Sequence, residues 1–131
     1  SICIALFDLD RFKQVNDIHG HLAGDAVIRG AVAVIQRHCR QGDLLGRYGG
    51  EEFVLCLPDT SVAQASEIAE RICAAMAGTA VSYQDRPIQV TVSIGVTALR
   101  QGESIEQWLS RADKALYEAK RNGRNRYAVA S

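Results

Sequence analysis

The stretch Leu-Leu-Gly-Arg-Tyr-Gly-Gly-Glu-Glu-Phe-Val-Leu-Cys-Leu, residues 44–57, contains two short apolar runs on either side of a glycine pair. Because glycine accepts positive φ, a Gly-Gly pair between two strand candidates predicts a β-hairpin. The strands are expected over residues 44–48 and 53–57, with Gly49 and Gly50 in the turn. Glu51 and Glu52 follow these glycines directly, so the hairpin places carboxylates at the end of a strand.

The chain before this hairpin predicts one buried strand and two helices. Residues 2–7 are continuously apolar, which is typical of a central strand covered on both faces, and they end at Asp8. A short helix is expected over residues 12–18, followed by a loop that holds Gly20 and Gly24. A longer helix comes next, and its apolar face is expected to consist of Val27, Ala31, Val34, Ile35 and His38.

The chain after the hairpin predicts two capped helices and a second hairpin. The first helix begins at a capping box, Ser61 with Gln64, and ends at Gly78. Residues 81–83 and 88–94 predict the hairpin, and the final helix starts at a second capping box, Ser104 with Gln107. The buried positions expected in these two helices are Ala65, Ile68, Ala69, Ile72 and Met76, then Ile105, Trp108, Leu109, Ala112, Leu116 and Ala119.

An edge strand over residues 127–129 completes the predicted order of strand, two helices, hairpin, helix, hairpin, helix and strand. We therefore expect an α/β (α+β) fold with a mixed, largely antiparallel central sheet of about five strands flanked by helices, ferredoxin-like or nucleotidyl-cyclase-like.

Length and charge narrow the class of protein. The chain has 131 residues, with 15 Lys plus Arg against 15 Asp plus Glu, and this length fits a single domain, residues 1–131. A zero net charge disfavours a protein that tracks nucleic acid or lies on a membrane surface. No apolar run approaches the ~20 residues of a transmembrane helix, and no signal peptide is recognisable, so we expect a cytoplasmic domain. The cysteines lack metal-ligand spacing and are expected to be reduced thiols.

Two acidic sites are expected at adjacent strand ends, Asp8 with Asp10 and Glu51 with Glu52. Buried carboxylates are costly unless a cation neutralises them, and Mg²⁺ is a hard ion that takes one or two protein carboxylates. Solvated turn residues are the alternative. The neighbouring glycine pair favours a ligand site, because glycine lets the backbone approach a ligand closely.

The end of the last helix is basic. Such cations either hold phosphate or complement the helix dipole, and both interpretations remain open on the residues alone. Asn16, Asp17 and Asp25 surround the predicted glycine loop, where they serve equally well as caps or turn formers. The cations of the helix end are Lys120, Arg121, Arg124 and Arg126.

Together these motifs resemble the GGDEF family of diguanylate cyclases in its common Glu variant. The resemblance is carried, in order, by residues 7–13, 16–21 with 24–25, 47–53, 92–95, and 112–120 with 123–125, and it spans nearly the whole chain. Family members normally carry a helix and a loop before the first strand, so we expect this domain to be excised from a longer protein without its lead-in helix. The parent would carry the regulatory domain and any membrane anchor.

The resemblance implies an enzyme that condenses two GTP into cyclic di-GMP across a homodimer, releasing two pyrophosphates. It implies that Asp8, the Leu9 carbonyl and Glu51 hold Mg²⁺ or Mn²⁺, two ions per site, and that Glu51 helps to remove a proton from the 3′-hydroxyl. Asn16 and Asp25 would read guanine, since one carboxylate accepts from both guanine donors whereas adenine has no donor at N1. The residues that would hold phosphate are Lys13, Gly49, Gly50, Lys120 and Arg124.

A second implied site binds the product. Arg40-Gln41-Gly42-Asp43 resembles the family's inhibitory Arg-x-x-Asp motif, and the alternative is an ordinary helix end with its turn. Arg40 would bind phosphate and stack on guanine, Asp43 would accept from the guanine edge, and Arg71 would add a further cation. The resemblance therefore implies feedback inhibition by cyclic di-GMP.

Two other functions compete with the cyclase. A catalytically silent module that binds GTP or cyclic di-GMP is disfavoured because the site residues are all present. A ferredoxin-like nucleic-acid binder is disfavoured because carboxylates stand where an aromatic stacking platform is expected. His19, His21 and His38 lack ligand spacing and are expected in the core or in loops.

Overall fold

A computed structural model describes all residues, 1–131. Its elements in chain order are β1 (Ile2–Leu9), α1 (Phe12–His19), α2 (His21–Arg37), β2 (Leu44–Arg47), β3 (Glu52–Pro58), α3 (Val62–Ala77), β4 (Ala80–Tyr83), β5 (Arg86–Gln89), β6 (Val92–Ala98), α4 (Ile105–Arg121) and β7 (Arg126–Val129). No helix has the length and apolar content that crossing a membrane requires.

Five strands form one mixed sheet in the order β2-β3-β1-β6-β7. β1 lies at the centre and pairs antiparallel with β3 and β6, while β7 runs parallel to β6 at one edge. A parallel pair needs a crossover connection, which α4 supplies. The predicted class, a largely antiparallel sheet of about five strands flanked by helices, is confirmed. β4 and β5 form a separate two-stranded hairpin.

The side chains of β1 alternate between two packed faces of the sheet. The odd-numbered residues from Cys3 to Leu9 lie in the main core with α2 and α3, whereas Ile4 and Leu6 pack with Trp108 of α4. A strand that is buried on both faces has no reason to alternate in polarity. The continuous apolar run therefore predicts this position correctly.

Both predicted capping boxes are present. The Ser61 and Ser104 side chains accept from the amides of Gln64 and Gln107, and each glutamine side chain accepts from its serine amide. The α3 stripe from Ala65 to Met76 is buried as expected. In α4 the expectation for Ile105 is wrong, because this first helical residue is 71% exposed.

The predicted loop around Gly20 and Gly24 is wrong in its second half. Gly20, at φ 91°, alone separates α1 from α2, and Gly24 lies inside α2. A Cβ on Gly24 would come within 2.0 Å of the Asn16 side-chain oxygen. Glycine is needed there because α1 and α2 approach closely, not because the chain turns.

The strand predicted over residues 88–94 is two strands in different sheets. β5 ends at Gln89 and β6 begins at Val92. Between them the Thr91 carbonyl accepts from the Asp10 amide at 2.9 Å, which directs the chain onto β1.

The remaining side-chain expectations are confirmed in part. All four cysteines are free, with Cys3 and Cys73 buried, and burial raises the pKa of Cys73 to about 12. His38 caps the C-terminus of α2 and is half-buried, so it does not belong to the core stripe of that helix.

Candidate functional site

The predicted acidic sites meet at one end of the sheet. The register of β1 and β3 places Asp8 opposite Glu52, and the Leu9 amide donates to the Glu51 carbonyl at 3.1 Å. Asp8 lies within β1 and has a side chain only 14% exposed. The sheet thus brings together the three residues predicted to hold metal, Asp8, Leu9 and Glu51.

The glycine turn differs from the expected two-residue hairpin. Its connection runs from Tyr48 to Glu51, and neither glycine has a φ in the left-handed region. A Cβ on Gly49 would lie 2.7 Å from a Glu52 carboxylate oxygen, whereas a Cβ on Gly50 would meet nothing within 4 Å. Gly49 therefore makes room for the glutamate, and Gly50 leaves its backbone open to a ligand.

Glu52 belongs to a predicted acidic pair, but the sequence gives it no role of its own. Burial raises its pKa, the neighbouring charges of Asp8 and Glu51 raise it further, and Lys120 opposes them. Electrostatic repulsion within this group is what a bound cation would relieve. The pair of glutamates after the glycine turn is visible in the sequence, but only the β1–β3 register shows that Glu52 is the one opposite Asp8.

A cation from the other end of the chain reaches this acidic edge. The Lys120 amine, near the end of α4, donates to the Asp8 carboxylate and forms an ion pair with it. Lys120 is 32% exposed, so the pair lies at the edge of the site and not in the core. Lys120, which is predicted to bind phosphate, therefore lies directly beside Asp8, which is predicted to bind metal.

A cleft of about 450 Å³ opens beside the glycine turn. Its walls come from α1, α2 and the β2–β3 connection. Both predicted guanine residues line it, as do three of the predicted metal or phosphate residues. The other five do not line it: Asp8, Leu9, Gly49, Lys120 and Arg124. The lining consists of Phe12, Lys13, Asn16, His21, Asp25, Ile28, Arg47, Gly50 and Glu51.

Arg47 shapes the rim of this cleft. Its guanidinium donates to the Gly49 carbonyl at 3.3 Å and to the Gly50 carbonyl. Because the carbonyls are engaged on that side, the turn is held in one conformation next to the cleft. Nothing in the sequence alone indicated this contact.

Asp10 behaves differently from the other acids. Only 7% of the residue is exposed, and its two oxygens accept hydrogen bonds from Thr91, Ser93 and the Asn125 amide. Each oxygen of the Asp10 carboxylate therefore already has an internal donor, whereas the Asp8 carboxylate is paired with Lys120. The metal ligands that the family resemblance implies, Asp8, Leu9 and Glu51, do not include Asp10.

The donor set fits Mg²⁺. No group of three or more His, Cys, Asp or Glu side chains gathers as a closed metal site. Mg²⁺ does not require one, since it binds through one or two carboxylates and completes its octahedron with water and substrate oxygens. Asp8 and Glu51 would supply two carboxylates, which is the number of protein ligands expected for Mg²⁺. The negative charges of both residues also raise the pKa of Glu52, and a bound cation would relieve this repulsion.

The predicted Arg-x-x-Asp motif lies directly after α2. The Asp43 carboxylate accepts from the Arg40 amide at 2.7 Å and from the Arg40 guanidinium at 3.3 Å. The Asp43 side chain is only 2% exposed, whereas that of Arg40 is 45% exposed, so Arg40 is the member of the motif that faces solvent. Burial and then the charge of Arg71 lower the pKa of His38, which caps α2.

Comparison with known proteins gives the same family from sequence and from structure. The model of the family described as diguanylate cyclase, GGDEF domain, matches residues 1–126. The chain is 43% identical over 129 residues to the diguanylate cyclase DgcP of Pseudomonas aeruginosa and 42% identical over 130 residues to diguanylate cyclase A of Treponema denticola. Both matches cover 98% of this chain but only 19% and 35%, respectively, of the length of the two relatives.

A solved structure agrees. The GGDEF domain of DgcB from Caulobacter crescentus, in complex with c-di-GMP, superposes with a TM-score of 0.95 at 37% identity. The match covers 99% of this chain and 76% of that one. Sequence, fold and the arrangement of the acidic strand ends therefore lead to one conclusion: the chain belongs to the GGDEF family of diguanylate cyclase domains.

Proposed function

We propose that this domain is an active diguanylate cyclase, which condenses two GTP into cyclic di-GMP and releases two pyrophosphates. The observation that carries the proposal is the meeting of Asp8, Glu51 and Glu52 with the Lys120 amine at one end of the sheet. This arrangement offers ligands for a divalent cation and a cation for phosphate within one site. The match to named diguanylate cyclases supports the same reaction.

Asp8, the Leu9 carbonyl and Glu51 would hold Mg²⁺ or Mn²⁺, two ions per site. Such ions stabilise negative charge on the α-phosphate and make the attacking 3′-hydroxyl more acidic. Glu51 would accept the proton of that hydroxyl, since it lies both on the acidic edge and on the wall of the cleft.

Phosphate would be held from two sides. Lys13 and Gly50 line the cleft, while Lys120 and Arg124 approach from the end of α4. Lys120 would exchange its Asp8 partner for a phosphate oxygen when nucleotide binds, because an amine on a flexible stem can serve either acceptor. Gly49 would contribute by leaving space for the Glu52 carboxylate at the same turn.

Guanine would be read by Asn16 and Asp25, which share the wall of the cleft. The Asp25 carboxylate can accept from N1–H and from the exocyclic amine together. Adenine has no donor at N1 and would leave the Asp25 carboxylate unpaired in the cleft. Sites that are built to pair with a donor can reject a ligand that lacks it by ~10⁴-fold or more. We therefore expect GTP to be preferred over ATP.

Catalysis would require a homodimer, since each domain holds one of the two GTP molecules. Cyclic di-GMP would also bind at Arg40, Asp43 and Arg71 and inhibit the enzyme. The Arg40 side chain is 45% exposed, but its guanidinium donates to Asp43, to the Pro58 carbonyl and to the Thr60 hydroxyl, so the product would have to compete with these partners. A crystallised relative that binds c-di-GMP is consistent with product recognition in the family.

The test is to fuse the protein to a dimerising coiled coil, incubate it with GTP and Mg²⁺, and identify the product by mass spectrometry. Cyclic di-GMP is expected, and Glu51→Gln should abolish its formation. Glu67→Gln, an exposed change on α3, is the matched control and should leave turnover unchanged. Binding of GTP without any product would refute the cyclase and support the silent nucleotide-binding module.

The inhibitory site is tested separately by calorimetric titration with cyclic di-GMP. Arg40→Ala should weaken product affinity and relieve inhibition while leaving the initial rate unchanged. Unchanged product affinity would remove Arg40 from the inhibitory site.

A further inference from the structure

The buried carboxylate of Asp10 joins three separate parts of the chain. Its Oδ1 accepts from the Ser93 hydroxyl at 2.7 Å, and its Oδ2 accepts from the Thr91 hydroxyl at 2.6 Å and from the Asn125 amide at 3.0 Å. Thr91 and Ser93 lie at the start of β6, and Asn125 follows α4. The carboxylate therefore fastens the turn after α4 to the end of β1.

That turn is held in an unfavourable backbone conformation. Arg124 and Asn125 have φ values of 62° and 50°, so two successive residues other than glycine occupy the left-handed region. Positive φ is disfavoured for a residue with a Cβ, less so for asparagine, and a strained segment persists only where its surroundings fix it. The Arg124 amide donates to the Ala119 carbonyl at 3.0 Å, which ties the near side of the turn to α4.

The bond from the Asn125 amide to Asp10 is the tie on the far side. A buried carboxylate that accepts from several donors forms charge-assisted hydrogen bonds, which are stronger than neutral ones. Removing this acceptor would leave a partly buried amide without a partner and release the strained pair of residues. Arg124, which lies between the two ties, would then lose its fixed position.

We propose that Asp10 is a positioning residue that fixes the Gly123–Asn125 turn and thereby presents Arg124 to the β- and γ-phosphates of GTP. This role rests on the proposed function of Arg124 in phosphate binding. It differs from metal ligation, because every side-chain oxygen of Asp10 already has an internal donor. Through Asp10 the geometry of the phosphate site is coupled to the end of the strand that carries Asp8.

The test compares binding of GTP and of GMP by calorimetry in Mg²⁺. Asp10→Ala is expected to weaken GTP binding about tenfold, since one charge-assisted contact with phosphate is lost. GMP has no β- or γ-phosphate, so its affinity should change by less than about twofold. A defect that was merely structural would weaken both ligands alike.

Two further variants test whether Asp10 acts on GTP binding through Arg124. In the double variant with Arg124→Ala, the Asp10→Ala change should add nothing, because the residue through which it acts is already absent. Asp10→Asn should restore GTP affinity, since its amide oxygen can accept from Asn125 while the Ser93 hydroxyl accepts from its NH₂ group.

Asp10→Ser provides a second route if Asp10→Ala does not fold. The serine hydroxyl keeps a polar group near Thr91 but is too short to reach the Asn125 amide, so the same selective loss of GTP affinity is expected. Equal losses for GTP and GMP, additive losses with Arg124→Ala, or failure of both variants to fold would overturn the proposal.

The failure of the proposed function has a different signature. If wild-type protein does not bind GTP, the nucleotide site itself is wrong. If Arg124→Ala weakens GTP while Asp10→Ala and Asp10→Ser do not, only the positioning role of Asp10 is wrong.

Discussion

Replacing Lys120 with methionine should change the affinity for metal and the affinity for nucleotide in opposite directions. In the structure the Lys120 amine pairs with Asp8, the proposed metal ligand. A divalent cation that binds alone at the proposed site would have to displace this amine, whereas the metal complex of GTP would offer the amine a phosphate oxygen in exchange. Methionine keeps an apolar stem of similar length and removes the charge.

The free-energy cost of displacing Lys120 from Asp8 can be estimated from the solvent exposure of the two side chains. Exposed ion pairs contribute about 0–1 kcal/mol, and hydrogen bonds between charged groups about 1.5–3 kcal/mol. With Asp8 14% and Lys120 32% exposed, the pair lies between these classes. A displacement cost of about 1–2 kcal/mol corresponds to roughly a 5- to 30-fold gain in affinity for metal alone.

Free Mn²⁺ can be followed by electron paramagnetic resonance during a titration without nucleotide. Lys120→Met should bind Mn²⁺ more tightly than wild type, and calorimetry in Mg²⁺ should show weaker binding of GTP. Lys114→Met, an exposed change on the same helix, is the control and should alter neither affinity. Unchanged or weaker Mn²⁺ binding by Lys120→Met would refute this reasoning.

Three further changes test the structure around the site. Gly24→Ala would place a Cβ 2.0 Å from the Asn16 side-chain oxygen and 3.1 Å from the Phe12 ring, so it should lower both the stability of the fold and the discrimination between GTP and ATP in competition binding; unchanged discrimination would contradict it. Gly95→Ala would place a Cβ 2.2 Å from an α4 carbonyl oxygen, and the free energy of unfolding in denaturant should fall by about 2–3 kcal/mol, since rigid backbone cannot yield. The hydrogen bond from Arg111 lowers the pKa of Glu103 from 4.5 to about 2, so its ionised form stabilises the fold above pH 4.5 and this contribution is lost as the pH falls towards 2. Glu103→Gln should therefore melt below wild type at neutral pH, with a difference that disappears near pH 2; a constant difference across this range would contradict the assignment.

Features that depend on local sequence were predictable. The apolar run of β1 and the capping boxes at Ser61 and Ser104 are complete within a few residues, and all are present in the structure. The five-stranded sheet follows from the order of such elements. The carboxylates at the ends of β1 and β3 were also recognisable, because polar residues at the end of an apolar strand stand out in the sequence.

Features that depend on the packing of distant segments were not predictable. The sequence predicts a loop at Gly24, whereas the reason for glycine there is the contact with a neighbouring helix. The hydrogen-bond partners of Asp10 lie 81 to 115 residues away, so local sequence does not identify them. Glu51 and Glu52 look equivalent in the sequence, and only strand register shows which of them faces Asp8. In each case the deciding contact is with a residue that sequence spacing does not identify.

The contact between Asp8 and Lys120 joins residues 112 positions apart. Ribosomal synthesis begins at the N-terminus, so the strands bearing Asp8 and Glu52 leave the ribosome well before α4 does. Until α4 emerges, no Lys120 is available to pair with Asp8, and Ile4 and Leu6 lack their packing against Trp108 of that helix. We therefore expect the pair of Asp8 and Lys120 to form late in folding, and a chain that ends before α4 to carry the acidic residues of the proposed site without the basic ones.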